Sequence, residues 1–146
     1  MSTSGIRGKS VCVLTRRDQI LVGPAFDPTK GEDFYCPPGG GIEFGERAID
    51  AIHREMREEL QIELDDVELV AVLENIFTYD GCPGHELVFV FRARATDPRI
   101  YERDEIMGEE NGQPMPTRWI ALEQFANGSL RLYPDGLFDL LQTVAD

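Results

Sequence analysis

Apolar and polar positions alternate at the start of the chain in two β-type runs, Ser10 to Arg16 and Gln19 to Phe26, with a polar corner at Arg17-Asp18. A looser stretch from Asp27 to Asp33 follows. It leads into Phe34-Tyr35-Cys36-Pro37-Pro38-Gly39-Gly40-Gly41, where two prolines and three glycines predict an interruption of regular strand pairing. From about Arg47 to Leu60 the period becomes helical. Ala48, Ile49, Ile52, Met56 and Leu60 fall within about 120° of a helical wheel, a stripe suited to a core.

Val67 to Tyr79 reads as extended, Asp80 to His85 as a turn cluster, and Glu86 to Ala95 as strand again. In that strand Leu87, Phe89, Phe91, Ala93 and Ala95 share one face; Val88, Val90, Arg92 and Arg94 share the other. Asp97 to Gly112 is expected to be a long acidic loop. A short strand around Trp119 (Pro116 to Ala121), a short helix from Ala121 to Ala126 and a terminal helix from Asp135 to Val144 complete the pattern. The order, ββ(β)α-ββ-βα, predicts an α+β (mixed α/β) fold or a mixed-sheet sandwich. With no internal repeat, low-complexity tract or long linker, one domain over residues 1–146 is expected.

Composition narrows the function. Hydrophobic residues make up 42% and charged residues 28%, as in a folded globular protein. The 27 acids against 14 Lys and Arg leave a net charge of −13, which argues against sequence-independent nucleic-acid binding. A phosphate-bearing small molecule stays open, provided divalent cations offset the repulsion. No run approaches the ~20 apolar residues of a membrane span, and the first ten residues hold no apolar leader. Cys12, Cys36 and Cys82 are odd in number and widely spaced, so buried, reduced thiols and a cytoplasmic setting are expected.

The chemistry concentrates between Gly40 and Ile62. Glu55, Glu58 and Glu59 stand at i, i+3 and i+4, so three carboxylates crowd about 100° of one helix edge. Such like charges are unfavourable on a bare helix. One reading is a solvated face, since Arg-Glu-Met-Arg-Glu-Glu-Leu is ordinary surface-helix vocabulary. The other is a site for a hard divalent cation, Mg²⁺ or Mn²⁺, with oxygen ligands.

The longer spacing Gly40-x5-Glu46-x7-Arg54-Glu55-Met56-x-Glu58-Glu59-x-x-Ile62 resembles the signature of the Nudix hydrolases. The resemblance implies an α/β/α sandwich with a central mixed sheet and a catalytic loop-helix-loop. It also implies metal ligation by Glu55, Glu58, Glu59 and the main-chain carbonyl of Gly39, with Glu46 and Arg54 as structural members of the catalytic motif. Where the family has a glycine beside the final apolar residue, this chain has Gln61, which puts the helix exit in question.

The activity so implied is Mg²⁺-dependent hydrolysis of the pyrophosphate bond in a nucleoside diphosphate linked to another group, by water attack on phosphorus. Nucleotides, dinucleoside polyphosphates and nucleotide sugars are all within that class. The alternative is a catalytically weak Nudix-like module that senses a nucleotide. A carboxylate must take the water's proton; the candidates are Glu55 and the loop acids Glu102, Asp104, Glu105, Glu109 and Glu110. For substrate binding, Phe77 and Tyr79 are candidates to stack on a base and Arg94 to meet phosphate. Tyr79 resembles, in placement, a downstream tyrosine of diadenosine polyphosphate hydrolases. Family members also pair as homodimers through sheet edges or the terminal helix; no residue pattern in this chain bears on that.

Overall fold

The computed structural model describes residues 5–144. Strands β1 (Arg7–Val13), β2 (Thr15–Arg16), β3 (Gln19–Asp27), β4 (Glu32–Cys36) and β5 (Gly39–Gly41) precede helix α1 (Ala48–Leu60). A long hairpin follows, β6 (Leu64–Tyr79) and β7 (Cys82–Ala95). After a 3-10 turn at Pro98–Glu102 come the hairpin β8 (Glu105–Glu110) and β9 (Gln113–Ala121), then α2 (Leu122–Ala126) and α3 (Leu137–Val144).

One sheet runs β5-β1-β7-β6, with β1 and β7 parallel and the other pairs antiparallel. The second runs β2-β3-β9-β8, and β4 pairs with the far half of β3. The two are tied where the Leu21 N–H donates to the Leu14 carbonyl at 3.1 Å.

Strand β7 is covered on both faces. Phe91 and Ala95, with Phe89 and Ala93 against them, join Ile52, Met56 and Leu60 of α1 in one core. Val88 and Val90 join Val11, Val22, Leu137 and Leu141 in another. Helix α1 therefore closes one side of the sheets and α2 and α3 the other, the mixed α/β sandwich expected from the element order. Each α1 side chain so buried contributes roughly 1.5–3 kcal/mol.

Several sequence expectations change. Ile49 is 40% exposed rather than part of the stripe. Ala48 makes the first-turn contact, its carbonyl accepting a hydrogen bond from Ser10 Oγ at 2.8 Å, and Ile49 lies a further 100° round. The triglycine run does not interrupt pairing: Gly39, Gly40 and Gly41 lie opposite Val11, Ser10 and Lys9. The turn at residues 80–85 shrinks to Asp80-Gly81, both at positive φ, because Tyr79 pairs with Cys82. Residues 97–112 are not a loop. Ile106 and Gly108 are buried and alternate with the exposed Glu105, Met107 and Glu109, so Glu105–Glu110 pairs with β9 as a strand. Of the thiols, Cys12 is buried, Cys36 half-buried and Cys82 exposed, because Cys82 opens β7 at the hairpin tip.

Helix α1 ends without the family's glycine. Gln61 takes the left-handed conformation itself (φ 56°, ψ 38°), and the N–H groups of Gln61 and Ile62 return to the carbonyls of Arg57 and Met56. Ile62 is thereby turned into the core, 2% exposed.

Candidate active site

Arg54 organises the loop ahead of α1. Its Nε and Nη2 donate to the two Glu46 carboxylate oxygens at 2.7 and 2.9 Å, and Nη2 also donates to the Gly41 carbonyl at 3.0 Å. Its Nη1 donates to Glu58 Oε1 at 3.0 Å and to Glu55 Oε1 at 3.3 Å. Glu46 also accepts the Glu43 N–H at 3.0 Å. The Arg54 guanidinium, with that N–H, holds the Glu46 carboxyl down at about 2, and Glu46 holds Arg54 above its usual range. The loop and the helix edge are thus one hydrogen-bonded unit.

The edge opens on an acidic cavity of about 540 Å³. Glu55, Glu58 and Glu59 line it, with Gly39 to Gly41 as its floor. Glu55 packs tightly over Gly40, where any Cβ would strike its carboxylate. Glu109 and Glu110 arrive from β8. They do so because Gly108 allows that strand to lie against the carbonyl of Glu59 and the side chain of Leu60. Burial, then the charges of Glu55 and Glu110, push the Glu59 carboxyl up to about 8, and Glu110 hydrogen-bonds to it. Burial likewise raises Glu55. Among the described residues no three acidic, His or Cys side chains already enclose a point where a metal ion would sit. Arg54 holds Glu55 and Glu58 toward the loop, while Glu59 leans on Glu110.

An adjoining cavity of about 460 Å³ is aromatic. Phe34, Phe77, Tyr79 and Tyr133 line it and meet edge to face, with ring centres 5.6–6.3 Å apart. The Tyr79 hydroxyl donates to the Phe26 carbonyl at 3.0 Å, so its ring, not its hydroxyl, is presented to the cavity. The Tyr133 hydroxyl donates to Glu86 at 2.8 Å.

The predicted residues thus fall into two groups and one outlier. Glu46, Arg54, Glu55, Glu58, Glu59 and Gly39 come together around the acidic cavity, and Phe77 and Tyr79 line the aromatic one. Arg94 lines neither. It sits at the far end of β7, 60% exposed, its guanidinium on Asp66 at 2.8 Å. Of the five loop acids only Glu109 and Glu110 reach the cavity; Asp104 is fully exposed and lies 4.0 Å from Arg16. Arg7, Lys9 and Glu86 line both cavities and were not singled out from the sequence. The signal was strand parity: Arg7 and Lys9 share a β1 face with Val11 and Val13.

The chain matches the NUDIX domain family over residues 6–141. It is 32% identical over 78 residues to an RNA pyrophosphohydrolase from Francisella philomiragia, an alignment covering 53% of this chain and 48% of that protein. The chain thus spans about half the length of that curated relative. Among solved structures it is similar to a MutT NUDIX hydrolase from Burkholderia pseudomallei, with TM-score 0.63, 24% identity, and coverage of 82% of this chain and 86% of that one. A NUDIX hydrolase from Nitrosomonas europaea shares the fold at TM-score 0.67 and 17% identity, covering 94% and 87% of the two chains. The chain belongs to the Nudix hydrolase family.

Proposed function

We propose that this protein is a Mg²⁺- or Mn²⁺-dependent pyrophosphohydrolase, cleaving the pyrophosphate bond of a nucleoside diphosphate linked to another group. The observation that carries the reading is the placement of Glu55, Glu58 and Glu59 along one helix edge, facing a cavity that runs into an aromatic one. The reading takes residues 1–146 as one domain acting in the cytoplasm on a small-molecule nucleotide.

The donor set fits a hard divalent cation. It consists of carboxylate oxygens with no sulfur or imidazole, and burial and then carboxylate crowding raise Glu59. Glu55, Glu58, Glu59 and the Gly39 carbonyl would hold the ion. When bound, it supplies charge neutralisation on phosphate and acidifies water. The chain's own residues do the rest. Arg54 keeps the helix edge and the Gly41–Glu46 loop in register. Glu55, Glu109 or Glu110 accepts the proton of the attacking water, since these acids border the cavity. Phe34, Phe77 and Tyr79 receive the base, whose flat face suits aromatic contact.

The test is release of phosphate or nucleotide from a panel in 5–10 mM Mg²⁺, about the excess a weak carboxylate site needs. The panel holds ADP-ribose, diadenosine polyphosphates, nucleoside triphosphates, oxidised dNTPs, nucleotide sugars, and capped and 5′-triphosphate RNA. The RNA substrates follow from the similarity to an RNA pyrophosphohydrolase. Metal-dependent turnover that Glu58→Gln abolishes supports the hydrolase. Absence of turnover in both metals overturns it in favour of a nucleotide sensor.

A further inference from the structure

Helix α1 covers only part of the sheet it packs on. On the α1 side of β1, β7 and β6, strand register sets the side chains in rows. Cys12 with Phe91, and Ser10 with Phe89, lie against the helix, where Ser10 Oγ donates to the Ala48 carbonyl. Val72 continues the Phe89 row. Gly8, Leu87 and Glu74 form the next row, and His85 and Ile76 the one after it. Ile42 lies over Gly8, its N–H donating to the Gly8 carbonyl at 3.0 Å. Arg7 lines the cavities, so strand alternation turns Ile6 to the same side as Gly8.

The outer rows form an open apolar face. Ile6 is 62% exposed, Val72 45% and Ile76 74%, and Phe44, two residues past Ile42, is fully exposed. None of these four joins either core, nor do Ile42 and Leu87. At about 200 Å² for a large apolar side chain, the four open roughly 500–600 Å² to solvent. A patch of that size is at the upper end for a monomer, about 300–600 Å². A stable pair of proteins covers about 800 Å² on each partner, about 65% of it apolar in a homodimer. The face supplies close to the whole apolar heart of such an interface.

It is also nearly free of charge in an acidic chain. Of the 27 Asp and Glu, these rows hold only Glu74, whose carboxylate lies 2.9 Å from His85 Nε2. Glu43, beside Phe44, lies 3.7 Å from Arg54. A strongly charged partner would find little here to pair with. A second copy brings the same apolar rows and the same acid and imidazole, so acid can meet imidazole across a two-fold axis.

We propose that two copies of this chain pair through the face built from Ile6, Ile42, Phe44, Val72, Ile76 and Leu87. The contact uses the broad side of the β6–β7 hairpin, neither its hydrogen-bonding edge nor the terminal helix. Ile42 and Phe44 belong to the loop that Arg54 clamps to α1, so the second copy backs that loop from outside. The pairing does not depend on the hydrolase reading.

The test is sedimentation velocity of the full chain over the micromolar range, at low salt and at about 500 mM. Wild type should sediment as two chains, more completely at high salt, which screens repulsion between copies of net charge −13. Ile76→Glu and Ile6→Glu should each weaken pairing about tenfold or more, because a two-fold contact buries the new carboxylate twice. Met107→Glu places the same charge on an exposed apolar residue of the other sheet and should leave pairing unchanged. Thermal melts check folding; if Ile76→Glu loses its fold, Ile6→Glu decides. A wild-type chain that stays single throughout overturns the proposal, as does a pair that both Glu substitutions leave intact. Pairing that weakens at high salt overturns the apolar contact. A single chain that instead pellets with phosphatidylcholine vesicles assigns the face to lipid and overturns the pairing too.

Discussion

Arg54 grips Glu46 through two hydrogen bonds of 2.7 and 2.9 Å across eight residues of chain, and the same guanidinium reaches Glu58 at 3.0 Å. A loop that would otherwise be held only by its backbone is thereby clamped to the helix that carries the candidate ligands.

The clamp has a pH signature. Glu46 is held at about 2 when folded, below its ordinary carboxylate value of 4.5, by Arg54 first and the Glu43 N–H second. A depressed carboxyl stabilises the fold above its unfolded value and loses that contribution as pH falls toward the folded one. Glu43, Glu55 and Glu58 also lie within ion-pair distance of the same guanidinium. Melting curves of wild type and Glu46→Gln should differ most at pH 6–7 and converge between about pH 4.5 and about pH 2. A gap that does not change with pH would assign the difference to packing.

Asp27 ties the β3–β4 turn to the tip of the β6–β7 hairpin at the mouth of the aromatic cavity. Its Oδ1 accepts the N–H groups of Thr29, Lys30 and Asp80 at 3.0–3.3 Å, and the residue is 4% exposed. Asp27→Ala strands those donors and should cost about 2–3 kcal/mol, or roughly 5–10 °C in Tm at this size. Tyr79→Phe, which loses only the bond to the Phe26 carbonyl, should cost about 0.5–1.5 kcal/mol. Thermal unfolding monitored by circular dichroism checks both.

The three thiols should label in sequence. Burial pushes Cys12 up to about 12 and Cys36 up to about 11, so neither offers thiolate near neutral pH. Cys82 is exposed. Intact-mass analysis after maleimide treatment at pH 7.5 should show one rapid adduct per native chain and three in denaturant. Rapid loss of a second thiol in the native protein would mean that the core around Cys12 or Cys36 opens readily.

Gln61→Gly should stabilise. A left-handed residue with a Cβ costs roughly 1–2 kcal/mol, and glycine's greater freedom in the unfolded chain offsets part of the relief. The net gain should be about 0.5–1 kcal/mol, or a few degrees in Tm. A lower Tm would show that the Gln61 side chain makes contacts worth more than the backbone strain.

Local information carried much of this protein. Helix α1 and its carboxylate edge were legible because i, i+3, i+4 spacing decides which side chains neighbour one another on a helix, whatever packs against it. The motif spacing, supported by an apolar stripe at Ile52, Met56 and Leu60, was enough to point to the family. The β6–β7 hairpin was legible in outline for a similar reason, since turn residues at 80–85 separate two extended runs, although the turn itself is only Asp80-Gly81.

Pairing between distant strands decided the rest. Residues 97–112 read as an acidic loop because their six acids outnumber their four apolar residues, Ile100, Tyr101, Ile106 and Met107. Only the β9 partner, with room for Gly108 against α1, makes Glu105–Glu110 a strand and delivers Glu110 to Glu59. Arg94 lay in a predicted strand, and Lys9 stood just ahead of the run predicted to begin at Ser10. The register of β7 on β6 sends Arg94 to Asp66 at the far edge, and the parallel pairing of β1 with β7 sets Lys9 between the cavities. The sequence by itself determined which helix carries the chemistry, because that depends on contacts one turn apart. Tertiary structure alone decided which charges from other strands reach it, because strand register and sheet order are settled by the packing of the whole core.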